Sequence, residues 1–203
     1  MKLDVPFYKQ ESKFDCGPTA LKMVLEFLDK PYSKEQLFDL VDSDRSGITW
    51  SIGLAKSAAE LGFKTEFYTT SLGFNPENYK LEFYNKKADD SSSTEQKLER
   101  LKQEAVKFKV YLNERSLSLK EILSKINEDG IAIILLDWSK ILKTDKYTGH
   151  FVPIVGFDDN NVYVHNQDLR NPQAYLAIER GLFENARKSK GTDEDIIFIH
   201  RKA

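Results

Sequence analysis

The chain has 203 residues, enough for one domain that buries a substantial core without disulfides. Its 30 basic and 32 acidic side chains give a net charge of −2, and the interleaved signs produce no strong field for nucleic acid or an anionic membrane. A single cysteine excludes an internal disulfide, the longest apolar run ("IAIILL") is too short to span a membrane, and the N-terminus lacks a secretory signal, so we expect a soluble, cytoplasmic protein.

Apolar periodicity predicts three helices before residue 62, after an opening extended segment. The first covers about residues 17–29 and has Pro18 in its first turn, where a missing N–H costs little. Ser33 and Gln36 predict a capping box for a second helix that runs through about residue 41. The segment "SGITWSIGLAKSAAELG" predicts a third helix ending at Gly62, and "FKTEFYTT" then predicts a strand.

Residues 71–113 are less regular and are interpreted as an insertion or a peripheral subdomain, either a lid or an embellishment. The segment begins with a polar, turn-rich stretch. It continues into "TEQKLERLKQEAVKFK", which predicts a charged helix with Leu98, Leu101 and Val106 facing inward.

The C-terminal half predicts a helix, a buried strand and a hairpin. Ser118 and Glu121 suggest a capping box for a helix that ends near Gly130, and "IAIILLDW" predicts the buried strand. A polar loop follows. Two apolar runs then flank "DDNN", which predicts a hairpin. A further helix within residues 171–191 and a closing strand, "EDIIFIHRK", complete the chain.

Cys16 stands where the first helix is predicted to begin, and Gln10 lies six positions before it. Unpaired N–H groups and the partial positive charge in the first turn of a helix favour a thiolate, the reactive form of the side chain. Asp15 opposes this effect unless it is paired. Free cysteines are also among the most often buried residues, so the thiol alone fits either a nucleophile or a core side chain.

A thiol nucleophile needs a base, and the chain has three histidines: His150, His165 and His200. His150 begins one strand of the predicted hairpin, and Asn166 lies near the end of the returning strand, so pairing can bring the two side chains together. A thiol, an imidazole and an amide that orients the imidazole form a catalytic triad. Strand alternation turns His165 away from Asn166, which favours an exposed or hydrogen-bonded surface role for His165.

The pattern Gln10-x5-Cys16-Gly17, followed much later by "GHFVPIVGFDDNNVYVHN", resembles the papain-like cysteine peptidases. The resemblance is to the branch of bacteriocin-leader-processing, or double-glycine, peptidases and their stand-alone relatives. It is carried by "DCGPTAL", the "GH" pair and "VGFDD", and it covers about residues 4–70 and 117–168. It implies one papain-like domain over residues 1–203, with residues 71–113 inserted or peripheral.

This resemblance also implies an α+β fold and a set of site residues. An N-terminal helical part, with Cys16 at a helix N-terminus, would pack on an antiparallel β-sheet that carries His150 and Asn166. Cys16 corresponds to the nucleophile, His150 to the base, Asn166 to the orienting group and Gln10 to the oxyanion donor. Many members of the branch carry Asp where this chain has Asn166, and Asp168 is the alternative orienting residue.

Three further residues are candidates for contact with the substrate. Gly17 and Gly149 flank the expected nucleophile and base, and Trp138 precedes the loop that leads to the base. Loops beside catalytic residues often line a substrate groove, although core packing explains Trp138 nearly as well.

The predicted function is a cysteine peptidase that hydrolyses peptide bonds of peptides or small proteins through a covalent thioester. A thiol acyltransferase or an amidohydrolase on the same scaffold is the alternative, and a catalytically silent peptide-binding module is disfavoured by the complete set of four residues. No cofactor or metal is expected, because one cysteine and three scattered histidines have no zinc-ligand spacing. The sequence leaves the oligomeric state open.

Overall fold

The computed structural model describes residues 1–43, 48–88 and 90–202. The fold is α+β, as the sequence predicts. In chain order, the described helices are α1 (Cys16–Leu28), α2 (Lys34–Val41), α3 (Ser51–Glu60), α4 (Glu82–Lys87), α5 (Ser91–Lys107), α6 (Leu119–Ser124), α7 (Trp138–Leu142) and α8 (Arg180–Arg187), with a 3₁₀ turn at Asn78–Lys80. The described strands are β1 (Lys64–Thr69), β2 (Tyr111–Glu114), β3 (Gly130–Asp137), β4 (Gly149–Phe157), β5 (Asn161–Asn166), β6 (Gln173–Glu179) and β7 (Ile196–His200).

These strands form one sheet in the order β2-β1-β7-β3-β4-β5-β6. The pair β1–β2 is parallel, and the other described pairs are antiparallel. The strand β3 is buried along its whole length because both of its faces are covered, which explains its continuous apolar run. The helix α1 packs on β3 and β4, while α3 packs on β1 and β7. The cysteine-bearing helix therefore lies against the strand that begins at Gly149.

The predicted N-terminal helices are found close to their expected bounds. At the start of α2, the side chain of Ser33 accepts from the N–H of Gln36, and the side chain of Gln36 accepts from the N–H of Ser33, so the predicted capping box is present. The helix α3 begins at Ser51. The first residues of the segment predicted to contain it, 46 and 47, lie outside the described residues.

Residues 71–113 differ from their prediction in three respects. They contain the short helix α4, and they end in β2, which pairs with β1 at the edge of the sheet; neither element was predicted. In α5, Leu101 is buried as expected, but Val106 is 62% exposed. Ala105 takes the inward position instead, because it lies one helical turn, i+4, after Leu101.

The C-terminal half contains the predicted hairpin, formed by β4 and β5, and the predicted capping box of Ser118 and Glu121 at the start of α6. The prediction that α6 reaches Gly130 was wrong, because α6 ends at Ser124 and a bridge between Asn127 and Gly130 opens β3. The predicted polar loop contains α7, and the strand β6 precedes α8. Both were missed, since α7 is only five residues long and β6 is a largely exposed edge strand without regular alternation.

Within the described ranges, no helix is long and apolar enough to cross a membrane.

Candidate active site

The N-terminus of α1 faces the start of β4, and this contact assembles the site. Cys16 is the first residue of α1, His150 is the second residue of β4, and Asn166 is the last residue of β5. Cys16 therefore comes from a segment far in sequence from the hairpin that supplies His150 and Asn166, and the fold makes the two adjacent.

Asp15 precedes α1 and is paired, which answers the electrostatic objection to a thiol nucleophile beside it. Its carboxylate accepts from the N–H and the hydroxyl of Ser12 and lies 3.0 Å from the ammonium of Lys34. Burial alone would raise the pKa of Asp15, but these partners hold that pKa below its usual value. The charge of Asp15 is thus shared with a cation instead of acting on the thiol alone.

His150 is buried and makes the hydrogen bond that the triad interpretation requires. Its Nε2 lies 3.1 Å from Oδ1 of Asn166. The amide of Asn166 is itself fixed, because its Nδ2 donates to the carbonyl of Asn171 at 2.6 Å and its Oδ1 also accepts from the N–H of Asp168 at 3.2 Å. With an oxygen facing the ring, Nε2 must carry the proton and donate it, which leaves Nδ1 unprotonated in neutral His150.

The thiol of Cys16 is surrounded by backbone donors and by the cavity walls, and the residue as a whole is half-buried. Burial raises the pKa of the Cys16 thiol, and the backbone N–H groups of Phe151, Gly17 and Cys16 itself lower it only in part. Asp15 adds a smaller upward effect on the same pKa. The sequence predicts a thiolate favoured by the helix N-terminus; in the resting structure, burial outweighs that effect.

The imidazole of His150 is shifted in the complementary direction. Burial lowers the pKa of His150 to about 4, although the hydrogen bond with Asn166 and the charge of Asp168 oppose the change. A raised thiol pKa and a lowered imidazole pKa both favour the uncharged forms. Both shifts therefore favour a neutral thiol and a neutral imidazole at rest over a thiolate–imidazolium pair.

Gln10 is buried, lines the same cavity as Cys16 and has one side-chain N–H that is not used by the hydrogen bond to Ser12. Its Nε2 donates to the carbonyl of Ser12 at 2.8 Å, and its backbone N–H donates to the carbonyl of Gln167 at 2.9 Å. An amide nitrogen carries two N–H groups, so one remains for a ligand. Its Oε1 has no hydrogen-bond partner among the described residues.

A cavity of about 120 Å³ lies over these groups and is lined by Gln10, Cys16 and His150. Trp138 and Gly149 also line it, and the Trp138 ring packs edge-on against His150 with centroids 4.6 Å apart.

Gly17, the third residue expected to contact the substrate, lies behind the cavity wall. A Cβ at this position would come within 2.7 Å of the methyl group of Thr49, so any larger residue would require Thr49 to shift. The contribution of Gly17 to the site is its N–H, which faces the sulfur of Cys16.

The other candidate residues have separate roles. Asp168 lines the cavity, but its Oδ1 accepts from the N–H groups of Arg170 and Asn171, so Asn166 is the residue that contacts His150. The prediction of a surface role for His165 was wrong. His165 is fully buried, its Nε2 donates to the carbonyl of Val5 at 2.9 Å, and its Nδ1 accepts from a backbone N–H.

Sequence reasoning missed two contributions to the site. Phe83 and Lys87 of α4 line the cavity, so the irregular segment contributes to the cavity that Cys16 also lines. Gln167 donates from its side chain to the carbonyl of Cys16. The one available signal for Gln167 was its position directly after Asn166 at the end of the returning strand.

Comparison with known proteins finds a family described by one activity and solved structures of the same fold described by another. The family model described as guanylylate cyclase matches residues 5–199. The chain is 29% identical over 214 residues to guanylyl cyclase 1 of Arabidopsis thaliana, covering 98% of this chain and 76% of that protein.

The solved structures that resemble this chain are peptidases. A double-glycine-motif protease from an AMS/PCAT transporter, in complex with its leader peptide, has a TM-score of 0.54 at 17% identity and covers 100% of this chain and 94% of its own. The peptidase domain of Streptococcus ComA has a TM-score of 0.54 at 16% identity and covers 98% and 99%. A Bacillus anthracis protein described as a C39-like peptidase has a TM-score of 0.60 at 14% identity and covers 100% and 99%. The predicted papain-like peptidase fold is confirmed.

Proposed function

The chain thus belongs to the guanylylate cyclase family, and we propose that its cavity carries out thiol-dependent acyl transfer, as a cysteine peptidase acting on peptides. The observation that carries the proposal is the 3.1 Å hydrogen bond from Nε2 of His150 to Asn166, which leaves Nδ1 as the base in the cavity that Cys16 also lines. A leader peptide bound to one structure of the same fold is consistent with a peptide substrate.

In the proposed reaction, the Cys16 sulfur attacks the carbonyl carbon of the scissile amide while its proton passes to Nδ1 of His150. The tetrahedral intermediate collapses as the C–N bond breaks, and His150 gives the proton to the departing amine. A thioester on Cys16 remains. Water then attacks the thioester with His150 again as base, which releases the acid and restores the neutral thiol.

Charge on the carbonyl oxygen of the intermediate would be stabilised by fixed donors. The reserve N–H of Gln10 and the backbone N–H of Cys16 are the groups proposed for this role. One such donor is typically worth on the order of 10²–10³ in kcat. Because the resting pair is uncharged, proton transfer from Cys16 to His150 accompanies attack or follows substrate binding.

A peptide-library cleavage screen read by mass spectrometry tests the proposal. We expect cleavage by the wild type, no detectable cleavage by Cys16→Ala, and a loss on the order of 10²–10⁴ in kcat for His150→Ala, the usual contribution of a general base. Amine acceptors added to the same reactions distinguish hydrolysis from acyl transfer, which the fold leaves open. Cleavage that survives in Cys16→Ala contradicts the proposal.

Guanylyl cyclase activity is the second candidate, because the family description and the name of the Arabidopsis relative both state it. Cyclisation requires a base for the ribose hydroxyl and positive charge at the departing pyrophosphate, which enzymes commonly supply with Mg²⁺ held by carboxylates. Among the described residues, no group of three or more His, Cys, Asp or Glu side chains is placed to hold a metal ion. Lys13 and Lys87, which line the cavity, are the cations that a triphosphate would meet there.

The two candidates are separated by one set of variants. Purified wild type and Cys16→Ala are incubated with GTP and Mg²⁺ or Mn²⁺, and cyclic GMP is quantified by mass spectrometry. Cyclic GMP formed equally by both proteins would support a cyclase that does not use the thiol. Peptide cleavage abolished in Cys16→Ala, with no cyclic GMP from either protein, would support the peptidase.

A further inference from the structure

Gln167 is a fully buried amide where the helix that carries Cys16 meets the strand that carries His150. It directly follows the last residue of β5, and its exposed fraction is 0%. Its Nε2 donates to the carbonyl of Cys16 at 2.8 Å and to the carbonyl of Phe151 at 2.6 Å. Both N–H groups of one side chain therefore join two segments that are distant in sequence.

The main chain of Gln167 extends the connection to the remaining site residues. Its carbonyl accepts from the backbone N–H of Gln10 at 2.9 Å. Its covalent neighbour, Asn166, holds the ring of His150. Gln167 is thus hydrogen-bonded to the segments that carry Cys16, His150 and Gln10, and it is covalently bonded to Asn166.

The contact with Phe151 has a consequence for the thiol. The backbone N–H of Phe151 faces the sulfur of Cys16 and lowers its pKa, while the carbonyl of the same residue is held by Gln167. On the side of Phe151, the pairing of β4 with β5 stops at the pair Ile154–Val164, and β5 ends at Asn166, so the side chain of Gln167 instead of a strand backbone holds this carbonyl. Without the amide, the start of β4 and the tip of α1 lose a direct connection.

We propose that Gln167 is a positioning residue that holds the start of β4 against the N-terminus of α1, and so sets the placement of the Cys16 thiol relative to Phe151 and His150. The expected effect of Gln167 on catalysis rests on the proposed acyl-transfer function. The placement itself can be read from Cys16 without any substrate, because the chain has one cysteine and each alkylation event reports on that thiol.

The test compares wild type with Gln167→Met, which keeps the length of the side chain and removes its donors. The rate of iodoacetamide modification is measured from pH 6 to 10, and the free energy of unfolding is measured in urea. We expect the midpoint of the alkylation profile to move to higher pH, because the Phe151 N–H is no longer held at the sulfur. With a cleaved peptide, we expect kcat to fall on the order of 10²-fold with KM little changed, as for misplaced reacting groups.

The matched control is Gln103→Met. Gln103 is exposed on α5, and its Nε2 donates to Glu99 at 3.2 Å, so the same chemical change occurs away from the cavity. The control should keep the wild-type alkylation profile. A lower free energy of unfolding in Gln167→Met with an unmoved alkylation midpoint would show a purely structural role and overturn the proposal. If the wild type cleaves no peptide, the proposed function fails, while the alkylation midpoints still decide the role of Gln167.

Gln167→Glu serves if the methionine variant does not fold. It keeps the shape of the side chain, donates one hydrogen bond when protonated, and places a charge against two carbonyls when ionised. Its alkylation rate relative to wild type should therefore decrease as the pH rises through the ionisation of Glu. A ratio that is constant across the pH range would overturn the proposal.

Discussion

Replacing His150 with glutamine tests the uncharged resting site through the stability of the protein. In the folded chain, burial lowers the pKa of His150 from 6.5 to about 4. The unfolded chain therefore takes up this proton at a higher pH than the folded chain does. Stability contributed by neutral His150 is complete above pH 6.5 and is lost as the pH falls towards 4.

The magnitude follows from the two pKa values. The difference between 6.5 and about 4 corresponds to at most about 3.4 kcal/mol of unfolding free energy. Between pH 7 and pH 4.5, the wild type should lose about 2.4 kcal/mol more than His150→Gln, because the variant has no imidazole at this position to titrate.

The assay is urea unfolding of both proteins at pH 7 and pH 4.5, with Cys16→Ser as a control that keeps the imidazole and should follow the wild type. A thiolate–imidazolium pair at rest would raise the folded pKa of His150 instead of lowering it. His150 would then add stability as the pH falls, and the sign of the difference would be reversed. A reversed or zero difference would refute the neutral pair.

Three further substitutions probe separate parts of the structure. Asn166→Ala releases the imidazole ring and should lower kcat for a cleaved peptide on the order of 10²-fold. Asn166→Asp can still accept from the ring and should retain most of the wild-type kcat. Equal losses of kcat in the two variants would argue against an orienting role. His165→Leu leaves the buried carbonyl of Val5 and the partly buried N–H of Tyr175 without their partner. It should lower the free energy of unfolding at pH 7, measured in urea, by about 1–3 kcal/mol for the carbonyl and by less for the N–H, and unchanged stability would be the contrary result. Phe83→Ala opens the cavity wall to solvent, which should lower the pKa of the Cys16 thiol and speed its alkylation at pH 8. An unchanged alkylation rate would mean that α4 does not shield the sulfur.

Elements with a strong local signal could be predicted from the sequence. The capping boxes at Ser33 and Ser118 need only residues that are neighbours in the chain, and the apolar run of β3 follows from burial on both faces. The hairpin that brings Asn166 to His150 was also accessible, because its turn and flanking strands are contiguous.

The features that could not be predicted from the sequence depend on contacts between segments that are distant in the chain. Strand alternation predicts that His165 points away from Asn166. The burial of His165 could not be predicted, because it arises from Val5 and β6, which pack over that face of the strand. The helix N-terminus at Cys16 favours a thiolate locally, yet the net pKa of the thiol is decided by walls from elsewhere in the chain, including α4. Gln167 carries no motif, since its role arises from the meeting of three segments.

The most direct measurement of the central claim is the intact mass of the protein quenched in acid during turnover of a cleaved peptide. We predict a species heavier by the mass of the acyl fragment, localised to Cys16 by digestion, released by neutral hydroxylamine as a thioester, and absent in Cys16→Ala. Peptide cleavage by wild type with the adduct on another residue, or equal cleavage by Cys16→Ala, would contradict the account.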